Sequence, residues 1–171
     1  YINKLLYDKF EKDISFERYN YLLKRLDVSA QESYELYQQN EKLLFGQPIK
    51  QMSQLTYNIL SSIDYEHVKL IRERNFLYLH NVIGDLNQLC LSVDGLDSPM
   101  VYPFLIVKDG LREFLIKNKI YVATYWKEVL DIVPEKSIEN KFTKYLIPLP
   151  IDQRYDLSDM YRIAYKVINW I

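Results

Sequence analysis

The side chains best suited to catalysis are scarce in this chain, and the two histidines are the first to consider. His67 and His80 lie thirteen residues apart within one predicted helix, which separates them by roughly 20 Å at about 1.5 Å per residue. At that distance they cannot bind the same metal ion. We interpret His67 as a surface residue and His80 as a half-buried one, and we assign neither to catalysis.

Cysteine and glycine also limit the chemistry. Cys90 is the only cysteine, and the four glycines are well separated along the chain. A single cysteine excludes an internal disulfide and a cysteine-based metal cluster, and we expect a reducing, cytoplasmic setting with Cys90 as a buried, unreactive thiol. Phosphate-binding loops need clustered glycines. The sequence therefore predicts no metal site, no Walker or Rossmann loop and no catalytic residue within this chain.

The composition is that of about one globular domain. The chain has 171 residues, of which 49% are hydrophobic, which suffices for a core. A formal net charge of −1 gives no general attraction to nucleic acid or anionic lipid, and no apolar run approaches the ~20 residues that span a bilayer. We expect neither nucleic acid nor a membrane as a partner. Tyr1 in place of an initiator methionine suggests an excised or processed chain.

Helical patterns dominate the first third of the chain. The stretch "SFERYNYLLKRL" predicts a helix whose inward residues are Tyr19, Leu22, Leu23 and Leu26. Ser29 and Glu32 have the spacing of a capping box before the next helix, and Gly46 marks its end. We interpret residues 1–50 as a helical lead-in and residues 51–171 as the main domain.

The second part of the chain alternates between strands and helices. The longest predicted helix follows Asp64, ends at Gly84 and has as its inward residues Val68, Ile71, Asn75, Leu79 and Val82. Short apolar runs predict strands at "QLCLSV", "MVYPFLIV" and "KIYVATYW", and an extended segment at "IPLPI". This order predicts an α/β (α+β) fold, with a small sheet of about three to four strands backed by helices.

Three helices separate and follow these strands. The helix "GLREFLIKN" has its buried side at Leu111, Phe114 and Leu115, and we expect Asn118 to end it in a left-handed conformation. The helix "SIENKFTKYL" precedes the proline-containing segment. The last helix is capped by Asp156, and its predicted core face consists of Leu157, Met160, Tyr161, Ala164, Val167 and Ile171.

The order of these features resembles a known family. An R-x-x-N pattern in "IRERNFLYLHNVI" is followed by "MVYPFLIV", by "LREFLIKNKIYVATYW" and by "IPLPIDQRYDLSDMYRIAYKVI". From about Met52 to Trp170, this succession resembles the C-terminal small domain of the DegT/DnrJ/StrS sugar aminotransferases. The first fifty residues match that family only loosely.

The resemblance implies the C-terminal lobe of a fold-type I, pyridoxal phosphate-dependent transferase. Such enzymes often act on nucleotide-linked keto sugars in surface polysaccharide biosynthesis, commonly as homodimers, and hold the cofactor on a lysine of the large domain. That domain normally precedes the small one. We therefore expect the catalytic lysine and the cofactor-binding lobe to lie outside this chain, and we interpret its own lysines as surface charges, namely Lys108, Lys117, Lys119 and Lys127.

The resemblance also indicates a substrate-side loop, which in this chain is Thr124, Tyr125 and Trp126. Family members often have a histidine in this loop, and its absence suggests a divergent substrate or a homologue that has lost transamination. Trp126 either faces the substrate cleft, where it would stack on a sugar ring or base, or packs against the last helix. Arg154 either binds a phosphate or carboxylate or forms a surface ion pair with Asp152 or Asp156.

Two prolines interrupt the segment before Arg154. Pro148 and Pro150 remove two backbone donors from one edge of an extended segment, which predicts an edge strand that directs Gln153 and Arg154 toward a neighbour. A second interpretation of the whole chain is a non-catalytic protein-interaction module. It follows from the absence of a complete site and from the tyrosine-rich, helical first third.

Overall fold

The computed structural model describes residues 7–171, so the first six residues of the predicted lead-in lie outside the described part. The chain forms two compact units, which we call the N-terminal unit, up to Ile63, and the C-terminal unit, from Asp64 to Ile171. The boundary predicted between residues 50 and 51 falls within the N-terminal unit. No helix within residues 7–171 combines the length and the apolar character needed to cross a membrane.

The N-terminal unit is helical, as the sequence predicts. A short 3-10 turn at Phe16–Tyr19 precedes three α-helices: α1 (Asn20–Asp27), α2 (Ala30–Leu44) and α3 (Gln54–Ser61). Ser29 caps α2 by accepting a hydrogen bond from the backbone N–H of Glu32, and Ser53 caps α3 in the same way. These caps satisfy N–H groups that a helix leaves free at its start.

The apolar face predicted for α1 is not buried in this unit. Leu22, Leu23 and Leu26 are all exposed, Leu26 to 83%, so the prediction that they point inward is wrong. Within the unit, the described residues that are buried are polar: Ser15, Ser33, Asn40 and Ser53. Two helices packed on each other cover only one side of each, and an amphipathic pattern alone does not supply a second layer.

The C-terminal unit, residues 64–171, contains five α-helices and two strands in mixed order. They are α4 (Tyr65–Ile83), β1 (Val101–Leu105), α5 (Leu111–Lys117), α6 (Val129–Ile132), α7 (Ile138–Tyr145), β2 (Leu146–Pro150) and α8 (Leu157–Trp170), with a 3-10 turn at Gly84–Leu86. The unit is thus of the mixed α+β class. The long helix after Asp64 is confirmed, and the Asp64 carboxylate caps it by accepting a hydrogen bond from the backbone N–H of His67.

The sheet has two antiparallel strands in the described part of the chain, not the predicted three to four. Tyr102 lies opposite Leu149 and Phe104 lies opposite Ile147, and all four side chains are buried. Phe76 of α4 packs edge-on against Tyr102, with ring centroids 4.9 Å apart. This face of the sheet is therefore the centre of the core, and helices cover it.

Prolines explain why the described residues add no third strand to either outer edge. Pro103 lies opposite Pro148, and Val101 lies opposite Pro150. In an antiparallel pair, alternate residues direct their backbone groups away from the partner strand. Prolines at these positions remove backbone N–H donors from both outer edges of the sheet. A third strand would therefore form too few hydrogen bonds there.

The predicted strand "QLCLSV" accordingly lies along β1 without a regular ladder. The Asn87 side chain donates a hydrogen bond to the carbonyl of Pro103 and accepts one from the N–H of Leu105, each at 2.9 Å. The N–H of Gln88 donates to the Leu105 carbonyl at 2.9 Å. Two hydrogen bonds of the Asn87 side chain thus take the place of ladder bonds along β1. The prediction of a strand at "QLCLSV" is therefore wrong.

The predicted strand "KIYVATYW" likewise belongs to no described ladder, so this strand prediction is also wrong. Ile120 shares a small cleft with Pro150, while Tyr125 shares another with Leu146. The segment therefore lies near β2, whose prolines Pro148 and Pro150 offer no N–H donors to it. Ile120 is buried in the core all the same.

Two of the helices bury a face that differs in part from the predicted one. In α4, Asn75 and Leu79 are buried as predicted, whereas Val82 is exposed and the neighbouring Ile83 takes its place in the core. The buried face of α8 consists of Met160, Ile163, Ala164 and Val167, and the predicted inward residues that are instead exposed are Leu157, Tyr161 and Ile171.

The end of α5 and the start of α8 were both predicted from the sequence. The left-handed residue after α5 is Lys119, with φ +61°, whereas Asn118 has φ −89°, so the prediction for Asn118 is displaced by one residue. The Asp156 cap of α8 is confirmed, and with Asp159 it forms a reciprocal capping box.

Candidate functional site

The predicted substrate loop, Thr124 to Trp126, connects the extended segment beside β2 to α6. Arg112 of α5 fixes its start by donating hydrogen bonds to the carbonyl of Ala123 and, at 2.9 Å, to that of Leu146 at the beginning of β2. Burial lowers the pKa of Arg112 from its ordinary value, against a smaller effect of Glu113. The guanidinium therefore joins the loop to the sheet by backbone contacts.

Trp126 has an unusual backbone conformation for a bulky residue. Its φ is +50°, in the left-handed region that L-residues with large side chains rarely adopt. Its side chain is 73% exposed, and its ring centroid lies 5.6 Å from that of Tyr125. A strained backbone that presents an exposed indole is the kind of outlier that concentrates at binding sites.

An apolar cleft lies beside Trp126. Its volume is about 240 Å³, and we call it the aromatic cleft, lined by Tyr125, Trp126, Val129, Glu139, Phe142, Thr143 and Leu146. Helices α6 and α7 supply its walls, together with the first residue of β2. Trp126 lines this cleft, and its 73% exposure is not that of a side chain packed against the last helix.

Arg154 is engaged within its own turn. Its Nε and Nη2 donate to the two carboxylate oxygens of Asp152 at 2.7 and 2.8 Å, so the surface ion pair of Arg154 is formed with Asp152 and not with Asp156. Burial by itself acts to raise the pKa of Asp152, but the hydrogen bonds and charge of Arg154 outweigh it, and the pKa is lowered. Arg154 does not line the aromatic cleft.

Asn75 has a larger role in this unit than its place on a predicted helix face indicates. It is fully buried, and its side-chain amide donates to the carbonyls of Ile151 and Tyr155 at 3.1 and 3.0 Å. Arg72 donates to the side chain of Gln153 at 3.3 Å. Both ends of the R-x-x-N pattern therefore bind the turn after β2, a long-range link that spacing alone does not reveal.

The other candidates have the following surroundings. His67 is exposed and His80 is half-buried, as predicted, with His80 Nδ1 lying 3.4 Å from the Tyr102 hydroxyl. Cys90 is exposed, so the prediction of a buried thiol is wrong, because its segment is not a core strand. The four lysines interpreted as surface charges are exposed.

None of the lysines within residues 7–171 is buried, and desolvation is one of the ways in which a Schiff-base lysine is activated. Within the same residues, no group of three or more histidine, cysteine or acidic side chains could hold a metal ion. The aromatic cleft itself offers ring faces and apolar contacts to a ligand.

Comparison with known proteins adds no relative: no family model matches the chain, and no curated protein or solved structure is significantly similar to it.

Proposed function

We propose that the C-terminal unit is the small lobe of a pyridoxal phosphate-dependent aminotransferase of the DegT/DnrJ/StrS type. The whole protein would act in the cytoplasm, as a homodimer, on a nucleotide-linked keto sugar used in surface polysaccharide biosynthesis. A large lobe upstream would hold the cofactor on its lysine, and the residues of this chain would bind substrate and close the site.

One observation carries the proposal: the sequence features of the resemblance meet in space within one compact unit. The R-x-x-N pattern of α4 binds the turn after β2 through Asn75 and Arg72. Arg112 joins the loop that starts at Thr124 to the same strand. Features more than seventy residues apart in sequence are thereby linked, as expected if their order reflects a shared lobe and not chance.

The substrate-side role falls to the loop Thr124–Trp126. The exposed indole of Trp126 offers a broad face to a sugar ring or base, a contact worth about 1–3 kcal/mol by analogy with base stacking. Arg154 would bind a phosphate or carboxylate only by exchanging its two bonds with Asp152. We therefore assign Arg154 a weaker contribution to substrate binding than Trp126.

The test uses the full-length gene product. Borohydride reduction followed by peptide mass spectrometry would locate a pyridoxyl-lysine, because reduction fixes the cofactor on the lysine that holds it. We expect loss of a visible absorbance band and a label on a lysine outside these 171 residues. A full-length protein that binds no cofactor, or a label on a lysine within this chain, would contradict the proposal.

A second candidate is a non-catalytic interaction module or an aminotransferase homologue without transamination. The observation that favours it is an exposed apolar row along α8: Leu157, Tyr161, Tyr165 and Ile168, in which Tyr161 and Tyr165 stack with centroids 6.0 Å apart. Spectra recorded with a panel of amino donors separate the cases. Conversion of the cofactor to its aminated form indicates transamination, and a cofactor that binds but is never converted indicates the inactive homologue.

A further inference from the structure

We propose that the aromatic cleft binds a small organic cation, of which an alkylated ammonium group is the simplest example. This inference goes beyond the proposed function and does not depend on it, since it uses only contacts within residues 109–146. It concerns the chemical class of ligand that binds in the cleft lined by Trp126.

The cleft is lined by three aromatic rings, which suit a bound cation. Tyr125, Trp126 and Phe142 all line one space of about 240 Å³, and the first two rings lie at 53° to each other. The face of an aromatic ring is electron-rich and attracts cations, tryptophan most strongly. Several rings tilted around one space form the arrangement that binds quaternary ammonium groups in other proteins.

The charge of the cleft has the sign that a cation needs. Among the described residues that line the cleft, Glu139 is the only one with a charged side chain. Two cations lie near the cleft: Lys144 pairs with Asp109 at 3.2 Å and lies over the ring of Tyr145, and Arg112 donates to the backbone carbonyls of Ala123 and Leu146. A carboxylate beside three rings favours a cation.

Size and preorganisation also favour a small ligand. A dry cavity of about 150 Å³ accepts benzene, and drug-sized ligands occupy about 300–1,000 Å³, so the cleft suits one ammonium head group or one small ring. Arg112 holds the loop at Ala123, and the backbone of Trp126 is held at φ +50° in the free protein. A loop whose backbone is fixed before binding loses less entropy when the ligand arrives.

The experiment is a fluorine NMR titration of the full-length protein labelled with 5-fluorotryptophan. The Trp126 resonance is assigned by its loss in Trp126→Phe. Choline chloride is the probe, sodium chloride at the same ionic strength is the salt control, and 3,3-dimethyl-1-butanol is the neutral ligand of the same shape. We expect a saturable shift of the Trp126 resonance with choline, and binding of the neutral alcohol weaker by about tenfold.

Two exposed glutamates provide the matched pair of variants. Glu139→Gln removes the charge that lines the cleft and should weaken choline binding by about threefold, whereas Glu135→Gln, before the start of α7 and outside the cleft, should leave it unchanged. Equal binding of choline and the alcohol, or an unchanged affinity in Glu139→Gln, would overturn the proposal. The cofactor-labelling test is unaffected by either result, because it reads a lysine and not this cleft.

Discussion

The two units of the chain contain similar amphipathic helices but bury them differently. In the C-terminal unit, α4, α5 and α8 cover the buried face of the two-stranded sheet. In the N-terminal unit, the described residues include no buried hydrophobic side chain, and the helix α1 exposes its leucines. Hydrophobic burial is the main favourable term in folding, so the C-terminal unit holds its own source of stability, whereas the N-terminal unit lacks one in the described residues.

This difference marks the limit of what an amphipathic pattern predicts. The pattern identifies which side of a helix is apolar, in α1 as well as in α4. It does not predict that another element covers that side. In the C-terminal unit the cover is a sheet face formed by Tyr102, Phe104, Ile147 and Leu149, and this sheet is what distinguishes the two units.

The largest expected effect comes from truncating one leucine in each unit. Leu149→Ala removes a fully buried side chain from the sheet and should lower the free energy of unfolding of the C-terminal unit by about 3 kcal/mol. Leu26→Ala removes an exposed one and should change stability by no more than about 0.5 kcal/mol. Urea titrations followed by circular dichroism measure both. Equal losses in the two variants would contradict the difference in burial between the units.

A second pair compares the buried asparagine of each unit. Asn75→Leu keeps a similar volume but leaves the carbonyls of Ile151 and Tyr155 without their donor. This should lower the free energy of unfolding by about 2 kcal/mol. Asn40 donates to the carbonyl of Arg18 at 3.2 Å, in a unit whose described residues form no hydrophobic core.

We therefore expect Asn40→Leu to cost less than about 1 kcal/mol, because water can replace the lost donor there. Both variants are measured by urea denaturation under one buffer. A cost for Asn75→Leu as small as that for Asn40→Leu would mean that the turn after β2 does not need its link to α4.

The smallest effect concerns pH. Because the folded-state pKa of Asp152 is lowered, its pairing with Arg154 stabilises the fold above the ordinary aspartate pKa of about 3.9. That contribution is lost as pH falls through the lowered folded value. Asp152→Asn should therefore reduce stability near neutral pH by less than about 1 kcal/mol, since the pair is partly exposed.

The difference between Asp152→Asn and the parent chain should shrink as the pH falls below the ordinary aspartate pKa of about 3.9, because the parent loses the same interaction as Asp152 becomes protonated. Asp94→Asn, in an exposed loop, serves as the control for removing one negative charge. Unfolding midpoints recorded from neutral to acid pH report the trend. A difference that grows in acid would contradict a lowered pKa of Asp152 in the folded chain.

Local signals predicted the helices well, since they depend on residues close in sequence. Asp156 with Asp159, Ser29 with Glu32, and Asp64 are caps that act within one turn. The number of strands was not predictable in the same way. It depends on Pro103 facing Pro148 across the sheet, and that register is set by packing.

The candidate site was predicted in part. The sequence indicated the loop Thr124–Trp126, but the cleft needs Glu139 and Phe142 of α7 as well, and neither has a spacing that marks it. Arg112 was missed for a related reason, because its acceptors are backbone carbonyls, which every residue carries and which leave no sequence signature. Residues that act through distant backbone partners become visible only in the folded unit.

Amide hydrogen exchange of the 171-residue chain tests the central claim most directly, because it reports the opening free energy of each segment separately. We predict that amides of α4, β1, β2 and α8 exchange slowly and through one common opening, while amides of α1 and α2 exchange through openings of much lower free energy. Equal protection of the two units, or rapid exchange throughout β1 and β2, would contradict a self-contained C-terminal unit.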